Sequence, residues 1–157
     1  MKKKESTSFC EIPLPKNTAT AGANKDAFYR HKGNFTWTGV RDQTYKTAGT
    51  EWSNVMRRVL IGAHGESTRF HVRYFEIAPG GRSSLEQHRH EHVVICVRGE
   101  GMLLSGKTRK KLKFMDTAYI APETVHRLSN PFQEPFGFLC IVNATRDRPK
   151  VLGRQKS

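Results

Sequence analysis

Glu86, His88, His90 and His92 recur at every second position of the chain. In an extended backbone successive side chains point to opposite faces, so these four share one face. Imidazole and carboxylate together suit divalent ions such as Mn, Fe, Co, Ni, Cu or Zn. Three of the chain's seven histidines fall within five residues here, which favours a binding site over a charged surface edge. The surface edge is the plain alternative, since a lone histidine is more often a satisfied polar residue than a ligand.

The elements that must position this cluster read as short β-strands broken by turns. One run covers residues 70–77 and is closed by Pro79, Gly80 and Gly81. Residues 93–98 and 102–105 flank Gly99, Glu100 and Gly101, which reads as a hairpin connection with glycine at positive φ. Residues 107–111 form an exposed turn and strand edge, where lysines discourage edge-to-edge pairing. Runs at 117–121, 126–129 and 136–142 complete the series. Strands this short and closely spaced predict an all-β sandwich or barrel of roughly 100 residues. No segment sustains a helical period and no internal repeat is visible.

The stretch from Gly80 to Gly99 resembles the first motif of the cupin superfamily. That motif runs glycine, five residues, His-x-His, three or four residues, glutamate, six residues, glycine. Gly80, Glu86, His88, His92 and Gly99 fall on this spacing without a gap. Asp116, the turn at Pro122, His126 and Asn130 are similar to the second motif, with Met115 where the family has glycine and the proline one place late. The resemblance implies an antiparallel jelly-roll barrel (a double-stranded β-helix) with a metal on Glu86, His88, His92 and His126. Glu86 stands where the family has its first histidine and His92 where it has its glutamate, so three imidazoles and one carboxylate are retained with the carboxylate moved. A rival register on His88 and His90 would put Val94 in the last first-motif ligand position, and valine cannot bind a metal. His90 is left as an alternative ligand, an outer partner or a substrate contact.

Such a set leaves open positions on a six-coordinate ion for water, O2 or substrate, unlike the closed shell of a structural zinc site. The resemblance implies a metal-dependent enzyme on a small anionic metabolite, of dioxygenase, lyase or isomerase type. A non-catalytic, metal-dependent binding or sensing module is the alternative, because fold does not choose among cupin activities. Tyr74, Glu76 and Tyr119 are candidates for acid–base or substrate-orienting roles, against the commoner reading of such residues on strands as packing or rim groups. Cys96 lies four residues beyond His92 and by parity could face the same side; an inert buried cysteine is the commoner case.

At 157 residues the chain fits a single domain that can bury one core. We divide it into a basic, loosely structured extension at 1–35, a barrel at 36–145 and a basic tail at 146–157. Trp37 and Trp52 mark residues 36–62 as the place where packing starts and, by resemblance, where two copies would pair as a homodimer. Three widely separated cysteines exclude a disulfide framework and a thiolate zinc site. No apolar run reaches the length of a membrane span and no apolar stretch follows the basic start, so the expectation is a cytoplasmic protein without membrane contact. The net charge of +13 suits an anionic small-molecule partner; no nucleic-acid motif accompanies it, so specific nucleic-acid binding is not expected.

Overall fold

The computed structural model describes residues 26–44, 53–147 and 149–152. Eleven strands follow in chain order: β1 (Gln43–Thr44), β2 (Ser53–Ile61), β3 (Phe70–Arg82), β4 (Glu86–Gln87), β5 (His92–Arg98), β6 (Gly101–Ser105), β7 (Thr108–Leu112), β8 (Thr117–Ile120), β9 (His126–Ser129), β10 (Phe136–Asn143) and β11 (Lys150–Val151). Every pairing is antiparallel. One sheet runs β1-β2-β3-β10-β5-β8, and a second runs β11-β4-β9-β6-β7. The far end of β3 stitches them together where Arg82 pairs with Ser129, giving the nearly closed jelly-roll barrel expected from the motifs. Among the described residues there is no helix, and so none long and apolar enough to cross a membrane.

The inner faces of both sheets carry the core. Phe75, Ile77, Val94, Leu103, Leu128, Phe136 and Phe138 are at most 5% exposed, and alternation along each strand sends their neighbours outward. Phe75 and Phe138 sit opposite one another in register with ring centroids 5.5 Å apart, so one aromatic layer fills the middle of the barrel.

Two expectations about connectivity change. Residues 93–98 and 102–105 do not form a hairpin: β5 pairs with β8 and β10, whereas β6 pairs with β7 and β9. Gly99 therefore turns the chain from one sheet to the other, with φ +58° and no room for a Cβ against the Pro135 carbonyl. The predicted strand at 70–77 also continues through Pro79, Gly80 and Gly81 to Arg82. The Gly80 amide donates to the Asn130 carbonyl and the Gly81 carbonyl accepts from the Asn130 amide, so pairing persists where the sequence suggests a stop.

The ends are more engaged than their composition suggests. Residues 26–44 lie across the outside of the first sheet, where Phe35 stacks on Tyr74 at 5.3 Å and Trp37 tilts against it at 5.4 Å. Asp42 pairs with Arg58 at 2.6 Å, and Tyr29 donates to Glu66 at 2.8 Å. Packing thus begins before residue 36; Trp52 and residues 1–25 lie outside the described residues. At the other end β11 adds to β4, beyond the boundary drawn at 145.

His71 is buried on β3, hard against Gly62. Burial first, then the charges of Arg146, Arg73 and Arg57, push its pKa down to about 4 from an ordinary 6.5. It is therefore neutral in the fold but takes a proton on unfolding anywhere between those values. Its contribution to stability is complete above about pH 6.5 and fades as pH falls toward about 4. A His71→Gln chain should accordingly lose less stability between pH 7 and 4.5 than the parent in urea titrations; equal losses would show that other groups set the acid limit.

Candidate metal centre

Three strands and one turn deliver the ligand-type side chains into the barrel. Glu86 lies on β4, His88 and His90 on the turn after it, His92 at the head of β5 and His126 at the head of β9. All five are between 2% and 5% exposed. Glu86 and His126 are register partners, and Glu86 Oε1 lies 3.7 Å from His126 Nε2. His88, His92 and His126 each offer one ring nitrogen, all within 4.8 Å of one another. The Nε2 atoms of His88 and His92 are 2.7 Å apart.

Hydrogen bonds on the far side of the rings set their orientation. His88 Nδ1–H donates to the His90 carbonyl at 2.7 Å, and His126 Nδ1–H donates to the Thr124 carbonyl at 2.8 Å. Each bond leaves Nε2 as the lone-pair nitrogen pointing at the cluster, the arrangement ligating histidines use. Ser84 Oγ donates to Glu86 Oε2 at 2.8 Å, leaving Oε1 toward His126. Behind His92, the Cys140 sulfur lies 3.4 Å from Nδ1 and accepts from Arg73 at 3.3 Å. The thiol beside the cluster is thus Cys140. Cys96 is buried in the core with its S–H toward the Arg98 and Gly99 carbonyls, and burial pushes its pKa up against the opposing hydrogen bond to Arg98.

Burial, with His90 and His126 close by, pushes His88 down to about 3. Burial first, then His88, His126 and Arg73, hold His92 well below the ordinary imidazole range. Both rings are therefore neutral near pH 7, the form a metal needs. Three imidazoles with presented nitrogens and a buried carboxylate fit a divalent transition ion, which on binding would supply a Lewis acid for a substrate oxygen.

His90 stands beside this group. Its ring stacks on His88 at 3.7 Å, its Nδ1 is 2.8 Å from Asp147, and its buried Nε2 has no hydrogen-bond partner. Asp147 also accepts from the Arg89 amide at 2.9 Å and the His90 amide at 3.2 Å. Slight burial opposes ionisation of Asp147, but these bonds outweigh it and hold the carboxyl at about 2. Beyond it, β11 pairs with β4 and the Leu152 amide donates to the Leu85 carbonyl. Asp147 and residues 149–152 therefore strap down the turn that carries His88. Asp147→Ala should weaken divalent-ion affinity about tenfold, the low end for a group acting through a ligand's support. Competition against a chromophoric chelator would measure it; an unchanged constant would show that the strap is irrelevant to the ion.

The three acid–base candidates lie elsewhere. Tyr74 and Glu76 alternate with Phe75 and Ile77 and so face outward, where Tyr74 donates to Glu76 at 2.6 Å and Arg98 pairs with it at 2.7 Å. Tyr74 is fully buried because Phe35 and Trp37 cover it from outside, and its pKa is pushed up by burial and by Glu76. Tyr119, opposite Val93, is 64% exposed. Alternation placed Tyr74 and Glu76 together, but the sequence did not reveal which face of β3 meets the cavity, because both are covered. Sequence reasoning also passed over Asp147 and Cys140, whose partners are 57 and 48 residues away.

The family model described as "Cupin domain" matches residues 73–142. Over 131 residues the chain is 35% identical to the 1-methylthio-D-xylulose 5-phosphate methylsulfurylase of Rhodospirillum rubrum, covering 82% of this chain and 83% of that protein. The chain is a cupin. Solved structures agree: a cupin 2 conserved barrel domain protein from Rhodopseudomonas palustris is 36% identical, with a TM-score of 0.74 over 80% of this cupin and 86% of that chain. A cupin-2 domain protein from Rhodospirillum rubrum is 34% identical, with a TM-score of 0.72 over 80% and 84%. The family match ends before Asp147, so the strap lies outside the part of this cupin that the family model describes.

Proposed function

We propose that this cupin is a metal-dependent enzyme acting on a small phosphorylated ketose that carries a methylthio group. The observation that supports it most is the convergence of His88, His92 and His126 beside buried Glu86, with the imidazole lone pairs already presented. The substrate class comes from the relative named for 1-methylthio-D-xylulose 5-phosphate, with which most of this cupin's length aligns. Charge supports an anion. Arg57 and Arg73 are buried and project inward from β2 and β3, and with a bound dication they would favour a phosphorylated substrate over a neutral one.

Within this reading the chain's own residues have distinct tasks. Glu86, His88, His92 and His126 would hold the ion, and the ion would polarise the carbonyl beside the carbon that bears sulfur. Ser84 and Asp147 orient Glu86 and the His88 turn, and the apolar wall of Ile120 and Val142 keeps bulk water away. Metal-loaded protein incubated with 1-methylthio-D-xylulose 5-phosphate and a small thiol should move the methylthio group from C1 to the thiol sulfur, giving a methyl disulfide (the thiol oxidised) and a 1-deoxy ketose phosphate (C1 reduced and protonated), read by phosphorus and proton NMR. Tight binding with no turnover would favour the non-catalytic binding module instead.

Pairing of two copies through residues 36–62 belongs to the same proposal. It is supported by half-buried Met56 and Leu60 on the outer face of β2. A single monomer peak in sedimentation at micromolar concentration would overturn it.

A further inference from the structure

The outer face of the second sheet carries a separate constellation. Leu103, Leu112 and Leu128 point into the core, so their neighbours on β6, β7 and β9 point out. The registers align those neighbours in two rungs. In the first, Leu104 is flanked by Arg109 on β7 and Arg127 on β9. In the second, Met102 is flanked by Lys111 and Ser129, and Ser129 by Arg82. Direct cross-strand partners stand about 4.5–5.5 Å apart at Cβ, so Arg109 and Arg127 stand directly beside Leu104. Lys111 is committed elsewhere, to Glu100 at 2.8 Å and over the Phe132 ring at 4.5 Å.

The result is a cavity of about 260 Å³ lined by Arg82, Arg109, Arg127, Met102, Leu104, Ser129 and Pro131. Its floor is apolar, its banks hold three guanidiniums from three strands, and no carboxylate lines it. Guanidiniums beside an apolar floor match a molecule that carries an anionic head and an apolar body. The volume is slightly below the usual range for drug-sized ligands, which suits a metabolite-sized molecule. Another copy of this chain, net charge +13, would bring a strongly basic body against a basic groove, and a nucleic-acid backbone would leave the floor unfilled.

We propose that this groove is a second ligand site, for a small organic anion with a phosphate or carboxylate head and an apolar body. The head lies among the guanidiniums, which bind such oxygens in pairs, and the body rests on Met102 and Leu104. His126 and Arg127 are adjacent on β9 and point to opposite sides of the sheet, so the site is separate from the imidazole cluster and does not depend on it.

Met102 supplies its own reporter. In metal-loaded protein labelled at the methionine methyls, phenyl phosphate should shift the Met102 signal saturably and leave Met56 and Met115 in place. Inorganic phosphate should bind more weakly and phenol should leave Met102 unmoved. Arg109→Gln, on the exposed edge strand, and Arg127→Gln should each raise the dissociation constant about tenfold, as loss of one charge-assisted contact does. Removing the metal with a chelator should leave the titration unchanged. Movement of Met56, Met102 and Met115 together, a titration that persists in the Arg109→Gln/Arg127→Gln double variant, or one that requires the metal would each overturn the proposal.

Discussion

His126→Ala is expected to lower divalent-ion affinity by more than about a hundredfold, since losing a mere outer partner already costs about 10–100-fold. The His126 nitrogen is one of three within 4.8 Å of each other, its Nδ1–H is spent on the Thr124 carbonyl so that Nε2 faces the cluster, and alanine removes that nitrogen outright. His88→Ala should behave alike. His90→Ala should retain most of the affinity, because His90 is not among the three converging nitrogens and because the Arg89 and His90 amides would still be held by Asp147. Metal content after dialysis against a weak chelator separates these outcomes. A His126→Ala chain that keeps stoichiometric metal while His90→Ala loses it would move the site to the register built on His88 and His90.

Phe138→Ala should destabilise the fold by about 3–5 kcal/mol, the range for deleting a buried aromatic ring. Phe138 is fully buried on β10, 5.5 Å from Phe75 and 5.0 Å from Phe136 by ring centroid. The surrounding barrel is hydrogen-bonded on both edges of β10, so the walls cannot close over the gap. For a domain of ordinary stability this is a large share of the total. Urea unfolding should show a much lower midpoint at an unchanged slope; a shift under 1 kcal/mol would mean the aromatic layer repacks.

The jelly-roll class and the grouping of His88, His92 and His126 were legible because both depend on short-range pattern. Alternation groups Glu86, His88, His90 and His92, and the motif spacing adds His126. Alternation alone did not separate His90 from the other three. That distinction comes from the turn between β4 and β5, where the chain leaves the extended form and stacks His90 behind His88. The hairpin expected at Gly99 failed because a glycine turn between two apolar runs looks the same whether the chain returns to its own sheet or passes to the other. The Asp147 strap and the Leu104–Arg127 half of the outer rung were invisible for a different reason: both join residues far apart in the chain, and no local propensity encodes them.

Holding His88 and His92 unprotonated far into acid has a consequence for how an ion is taken up. A surface histidine site must expel protons to load a cation near pH 6, and its affinity drops steeply there. This interior has already shed them, with His88 down at about 3. Neither of those two rings should therefore add a proton to the buffer-dependent part of the heat when the ion is titrated in at pH 6.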